Sequence, residues 1–171
     1  MENVGKKFES SFKLSVPEYC YLKRLNDQPQ SFVKNVNTKF SLKNPFDYLL
    51  FDCKRQKLWA IECKTTKYKS LSIAKDKDDN KMIKYHQIKG LSELSKYNNV
   101  IAGFLINFRT DGIERTYFQK IEDFNKMIHT TSKSSVNEID LIMNHAIKIN
   151  GKLMRVNYRW DIESLLESEG N

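Results

Sequence analysis

The sequence lacks the features of secreted and membrane-spanning proteins. Within its 171 residues, no apolar run approaches the roughly 20 residues that a membrane-spanning helix needs. Residues 1–7 contain no apolar stretch, so we expect no signal peptide. There are only three cysteines, without CxxC spacing, and this favours reduced thiols in a cytoplasmic protein over a disulfide framework. The cysteines are Cys20, Cys53 and Cys63.

The motifs of several enzyme classes are also missing. The chain has neither a P-loop nor a GxGxxG segment, so we expect no nucleotide cofactor. The three histidines, His86, His129 and His145, do not have the spacing of metal ligands. No convincing Ser-His-Asp order occurs either. We therefore do not expect the protein to hydrolyse nucleotides or to use a Ser-His-Asp triad.

Positive charge is in excess. Lysine and arginine together number 29 against 21 acidic residues, a formal net charge of +8. Such a surface attracts polyanions, and nucleic acid is the expected partner. A membrane partner is not expected, because no basic amphipathic helix stands out. Charge that serves only solubility is the alternative.

The hydrophobic patterns predict an α/β (α+β) fold, with a mixed sheet flanked by helices, as a single domain over 1–171. A charged segment over 67–81 is expected to be a solvated loop. The predicted elements are a helix over 5–16, a strand over 18–25, a hairpin over 46–66, a helix over 81–97, strands over 100–108 and 116–118, helices over 121–128 and 139–149, an edge strand over 153–156 and a helix over 162–167.

The hairpin carries the most informative pattern. Side chains alternate faces along a strand, so Glu62 and Lys64 share one face. A turn centred between residues 55 and 56 would place Asp47 opposite Lys64, on that same face, and would turn Asp52 away. Two carboxylates hold Mg²⁺ through oxygen ligands, and the metal activates a water for phosphodiester cleavage. A bulge would reverse the choice of Asp47 over Asp52, and ordinary surface charges are the alternative.

Four short motifs then point to a family. They are Gly5-Lys6-Lys7-Phe8-Glu9, Phe46-Asp47-Tyr48, Ile61-Glu62-Cys63-Lys64-Thr65-Thr66-Lys67 and Tyr85-His86-Gln87-Ile88. In this order they resemble the motifs of the PD-(D/E)xK nuclease superfamily. More closely, the chain resembles the RecU-type Holliday junction resolvases of Gram-positive bacteria and their phages. The resemblance spans most of the chain, although each motif is short.

The resemblance implies a restriction-endonuclease-like fold and a homodimer that cuts branched DNA. It implies Mg²⁺, with Mn²⁺ as the alternative, held by Asp47, Glu62 and the backbone carbonyl of Cys63. Lys64 would orient the attacking water or stabilise the phosphate. Glu9 and Gln87 would complete the catalytic set.

One segment departs from the family pattern. RecU-type enzymes carry a protruding stalk before the strand acid, whereas only Tyr19–Asn44 fills that interval here, so a stalk is short or reduced. The lysines expected to contact DNA are Lys6, Lys34, Lys39, Lys43, Lys67 and Lys69. Two alternatives stay open: a related nuclease acting on flap, branched or duplex DNA, and a non-catalytic basic DNA-binding module.

Overall fold

A computed structural model describes residues 4–25, 44–74 and 80–169. The helices within these ranges are α1 (Val4–Lys13), α2 (Tyr85–Leu94), α3 (Ile121–Thr130), α4 (Glu138–Met143) and α5 (Ile162–Ser168). The strands are β1 (Cys20–Arg24), β2 (Tyr48–Asp52), β3 (Lys57–Thr66), β4 (Ser70–Ser72), β5 (Val100–Thr110), β6 (Ile113–Lys120), β7 (Ser135–Asn137), β8 (Ile147–Ile149), β9 (Gly151–Leu153) and β10 (Tyr158–Trp160). No helix among the described residues is long and apolar enough to cross a membrane.

The centre of the fold is a six-stranded mixed sheet. Its strand order is β1-β2-β3-β5-β6-β8, in which β3 and β5 run parallel and the other neighbours run antiparallel. Two smaller antiparallel pairs, β4 with β7 and β9 with β10, lie outside it. The predicted fold class, a mixed sheet flanked by helices, is confirmed.

Both faces of this sheet are buried. One face packs against α2 and α3 through side chains such as Phe104 and Phe124, whose ring centroids are 4.9 Å apart. The other face packs against α1 and α5, around Trp59 and Phe118. The strand predicted over 100–108 is β5 in the structure. Its sequence is a nearly continuous apolar run because both of its faces are buried.

The hairpin has a different register from the predicted one. Leu49 pairs with Ala60, whereas the predicted turn would have paired it with Glu62. The buried carboxylate of Asp52 explains the difference, since its Oδ1 accepts hydrogen bonds from the backbone N–H groups of Lys54 and Arg55 at 3.0 and 3.2 Å. The turn therefore occupies residues 53–56 and is centred one residue earlier. The shift of two residues leaves every side chain on its predicted face.

Other segments also differ from the sequence prediction. The expected edge strand over 153–156 shares only Leu153 with β9. The expected loop over 67–81 contains β4, which pairs with β7 and buries Leu71; residues 75–79 lie outside the described ranges. The expected helix over 139–149 ends at Met143, and His145 takes a φ of +64° where the chain turns. The segment after this turn is β8, which pairs with β6 at the edge of the main sheet.

Candidate active site

Asp47 and Glu62 lie together where β2 begins and β3 approaches its end. Tyr48 pairs with Ile61, so the next position along the ladder sets Asp47 opposite Glu62. The Asp47 N–H donates to the carbonyl of Ile61 at 3.1 Å. Its Oδ2 accepts from the N–H of Cys63 at 2.9 Å. The predicted convergence of Asp47 with Glu62 is present, with Glu62 rather than Lys64 as the facing residue.

Glu62 is almost fully enclosed, with 3% of its surface exposed. Its Oε1 accepts from Lys64 Nζ at 2.8 Å and from Gln87 Nε2 at 2.5 Å. Gln87 is itself held in place, because its Oε1 accepts from the N–H of Lys84 at 3.0 Å, at the start of α2. The first turn of α2 thus presents a fixed amide to the carboxylate. A buried charge needs such partners to be tolerated.

Burial has raised the proton affinity of both acids. It raises the pKa of Glu62 to about 8, a shift that Lys64 opposes and Asp47 reinforces. Burial also raises the pKa of Asp47, against the hydrogen bond from Cys63, while the charge of Glu9 adds to the rise. The ionised form of each carboxylate is therefore less stable here than in water, because nearby positive charge does not fully compensate for burial. A cation between them would relieve this shortage.

Glu9 approaches the same place from α1, which covers the other face of the sheet. Its Oε2 accepts from Arg24 Nε at 2.9 Å and from the Tyr48 hydroxyl at 3.4 Å. Its charge also raises the pKa of Asp47, so the two carboxylates lie within electrostatic reach. The sequence patterns assign no role to Arg24 or to the Tyr48 hydroxyl. Their partnership depends on the pairing of β1 with β2, in which Arg24 faces Tyr48, and no local motif marks it.

The donor set fits a hard divalent cation in its chemistry. Asp47 and Glu62 offer carboxylate oxygens, which Mg²⁺ prefers, and Mg²⁺ commonly keeps several waters alongside one or two carboxylates. Across 4–25, 44–74 and 80–169, no group of three His, Cys, Asp or Glu side chains is arranged to hold a metal. Backbone and water oxygens would have to complete the coordination. The carbonyl of Cys63 remains the predicted third protein ligand.

The predicted DNA-binding lysines are only partly placed. Lys34, Lys39 and Lys43 lie outside the described residues, as does most of the interval where a stalk was expected. Lys6 is exposed on α1. Lys67 and Lys69 are exposed directly after β3, the strand that carries Glu62 and Lys64, so they are close to the acids along the chain.

Comparison with known proteins found a similar curated protein and a similar solved structure. No family model matches it. Among solved structures, it is similar to Hjc, a Holliday junction resolvase from the archaeal hyperthermophile Archaeoglobus fulgidus, with a TM-score of 0.49 and 14% identity over 84% of this chain and 95% of that one. It is 31% identical over 175 residues to the SPbeta prophage-derived uncharacterized protein YotM of Bacillus subtilis (strain 168), covering 95% of this chain and 85% of that protein. The chain therefore belongs to the family of this prophage-derived protein.

Proposed function

We propose that the chain is a Mg²⁺-dependent endodeoxyribonuclease that cuts branched DNA, with the four-way junction as its preferred substrate. The observation that carries the proposal is the convergence of Asp47, Glu62 and Lys64 at one end of the hairpin. Glu62 is buried there with its pKa raised to about 8. Strongly perturbed acids of this kind cluster at functional sites.

Asp47 and Glu62 are the proposed metal ligands. When bound, Mg²⁺ lowers the pKa of a coordinated water and neutralises charge that develops on the attacked phosphate. Asp47 is fixed by the N–H of Cys63, and Glu62 is fixed by Gln87. Both carboxylates are thus oriented before any ligand arrives, which limits the reorganisation that binding requires.

Lys64 supplies fixed positive charge beside the acids. Its ammonium lies 2.8 Å from Glu62 Oε1 with 14% of the side chain exposed. The side chain is thus partly accessible from solvent, and a preorganised positive charge beside a bound phosphate stabilises the transition state. Glu9, anchored by Arg24, is placed to accept a hydrogen bond from a water on the α1 side. We assign it the orientation of the attacking water.

DNA as the substrate rests on the net charge of +8 and on the motif resemblance to RecU-type resolvases. Resolution of a junction needs two cuts in strands of like polarity, so we propose a two-fold homodimer with one site in each subunit. The short interval over Tyr19–Asn44 favours a second candidate, a nuclease of the same superfamily that acts on flaps or plain duplex. A non-catalytic binding module gives no reason for a buried glutamate with a raised pKa.

Cleavage of labelled synthetic DNA tests the proposal. A four-way junction, a flap, single-stranded DNA and a matched linear duplex are incubated with wild type or Glu62→Gln, in Mg²⁺ or in EDTA. Paired symmetric nicks in the junction alone, with wild type and Mg²⁺ only, are the expected result. Preferential cutting of flap or duplex would support the active-site assignment but replace the four-way junction as the proposed substrate. Cutting by Glu62→Gln at the wild-type rate would refute the mechanism.

A further inference from the structure

A second polar cluster lies on the opposite face of β3 from Lys64. Thr65, the next residue, donates through Oγ1 to Asn107 Oδ1 at 2.9 Å. The same hydroxyl accepts from Arg109 Nε at 2.9 Å. Asn107 Nδ2 donates to Thr116 Oγ1 at 3.0 Å and to Glu114 Oε2 at 3.3 Å. The cluster thus joins the end of β3 to β5, its neighbour in the sheet, and to β6, the strand beyond β5.

This network fixes the direction of Arg109. Asn107 and Thr116 are fully buried. The side-chain oxygen and nitrogen of Asn107 both form hydrogen bonds, so its amide is fully partnered. Glu114 faces Arg109 across the β5–β6 ladder but accepts from Asn107. Arg109 forms no ion pair within the described part of the chain, and its guanidinium is aimed by Thr65 towards the end of β3.

Arg109 lines a small cavity between α1, the ends of β5 and β6 and the β9–β10 hairpin. The cavity has a volume of about 50 Å³, and its polar lining comprises Lys7, Ser11, Arg109, Glu114 and Tyr158. Lys7, like Arg109, has no ion pair among the described residues. Two cations therefore face one space, and the one acid there is engaged by Asn107. A space of this size admits a few oxygen atoms but neither a base nor a sugar.

The cavity lies near the same end of β3 as the candidate active site, on the other face of the sheet, because its Arg109 donates to Thr65. Lys7 precedes Glu9 by two residues on α1, and Thr65 directly follows Lys64 on β3. DNA carries one negative charge about every 3.4 Å along each strand. A strand whose scissile phosphate lies at Lys64 therefore brings a neighbouring phosphate within reach of the α1 side of the sheet end.

We propose that this cavity binds a backbone phosphate that neighbours the scissile phosphate on the same DNA strand. This inference rests on the proposed function. Arg109 is the principal donor, because a guanidinium recognises phosphate oxygens through paired hydrogen bonds. Lys7 adds a second charge. Thr65 and Asn107 act as positioning residues that hold Arg109 without contacting the DNA.

Equilibrium binding of a labelled junction in EDTA tests the proposal without any need for cleavage. We expect Arg109→Met to raise Kd about tenfold, since a hydrogen bond between charged groups contributes more than one between neutral groups. The slope of log K against log salt should fall by about 0.9, the value for one lost phosphate contact. Lys96→Met is the matched control, because Lys96 is paired to Glu93 at 2.8 Å past the far end of α2; its Kd should change less than about twofold.

Methylphosphonate substitution identifies the bound group. Neutral linkages are introduced one at a time along each strand, and the position that weakens wild type but leaves Arg109→Met unchanged is the contacted phosphate. Strands with and without a 5′-phosphate form the second arm. Sensitivity confined to the terminal phosphate would replace the backbone assignment by recognition of a cleaved end, and would overturn the proposal.

The outcomes separate this proposal from the nuclease itself. If no variant or wild type cuts any DNA but the Arg109→Met and methylphosphonate effects hold, the phosphate site stands and the proposed catalysis fails. If Arg109→Met binds as tightly as Lys96→Met, the site is refuted whatever the cleavage rates. Should Arg109→Met not fold, Arg109→Lys decides: it keeps the charge but loses the paired geometry, and wild-type affinity with an unchanged methylphosphonate pattern would refute the guanidinium contact.

Discussion

Replacement of Glu62 by glutamine is expected to make the metal-free protein relatively more stable as the pH rises. Burial raises the pKa of Glu62 from 4.5 to about 8 in the folded state. The folded protein therefore binds a proton that the unfolded chain releases, and this contribution to stability is complete only below pH 4.5. It is lost progressively as the pH rises to about 8. Glutamine does not titrate, so the variant escapes this loss.

The magnitude follows from the size of the shift. A shift from 4.5 to about 8, at about 1.4 kcal/mol per pKa unit, sets an upper limit of about 5 kcal/mol. Lys64 beside Glu62 is partly exposed, which raises the effective dielectric above that of a dry interior, so we expect about 2 kcal/mol between pH 5 and pH 9. The attraction between Lys64 and the ionised carboxylate opposes the shift and is already contained in the pKa of about 8. The change of the difference with pH is therefore the quantity to measure.

Thermal unfolding in EDTA across this pH range provides the assay. About 2 kcal/mol corresponds to a relative gain in Tm of about 4–8 °C for Glu62→Gln. Glu138→Gln is the matched control: burial raises the pKa of Glu138, but bonds from Arg115 and Tyr117 outweigh it and lower the pKa overall. Its effect should have the opposite pH dependence, confined to acid pH. A flat Tm difference between Glu62→Gln and wild type would refute the burial argument.

Three further predictions concern individual roles. Asp47→Asn should reduce junction cleavage in Mg²⁺ to below about 1%, with binding in EDTA kept within about twofold of wild type; normal cutting would remove Asp47 from the mechanism. Gln87→Ala should lower kcat about 10- to 100-fold, the usual effect of losing a group that orients a ligand, with Kd unchanged. Asp52→Ala should reduce the free energy of unfolding by about 1–3 kcal/mol in urea titrations, because two turn N–H groups lose their buried acceptor and Arg55 loses one of its acidic partners. Cleavage per folded molecule should be retained, and a specific loss would make Asp52 a site residue.

Parity was predictable from the sequence, whereas register was not. Alternation along β2 and β3 places Asp47 and Glu62 on one face whenever the register error is even, and the actual shift was two residues. The turn itself depends on Asp52, whose buried carboxylate accepts two backbone N–H groups. No local pattern distinguished that acid from a solvent-exposed one, so the centre of the turn was misplaced.

Segments that depend on distant partners were the ones predicted wrongly. β4 pairs with β7, more than sixty residues further along the chain, and a charged local sequence gave no sign of it. Gly151, just past the helix predicted over 139–149, lies in β9 beneath Trp160, where an added Cβ would lie 2.2 Å from a ring carbon. The helix predicted over 162–167 depends on local signals and is present as α5: the side chain of Asp161, at its start, accepts from the N–H of Ser164.

The bond between the Asp47 carboxylate and the Cys63 N–H turns one backbone hydrogen into a reporter on the site. That amide is protected by a side chain, so its exchange with deuterium follows the state of the carboxylate. A ligand that draws both oxygens of Asp47 away from β3 would release this single hydrogen while its neighbours in the β3–β5 ladder stay protected. Occupancy of the acids is then readable in solution from one resonance, before any DNA is added.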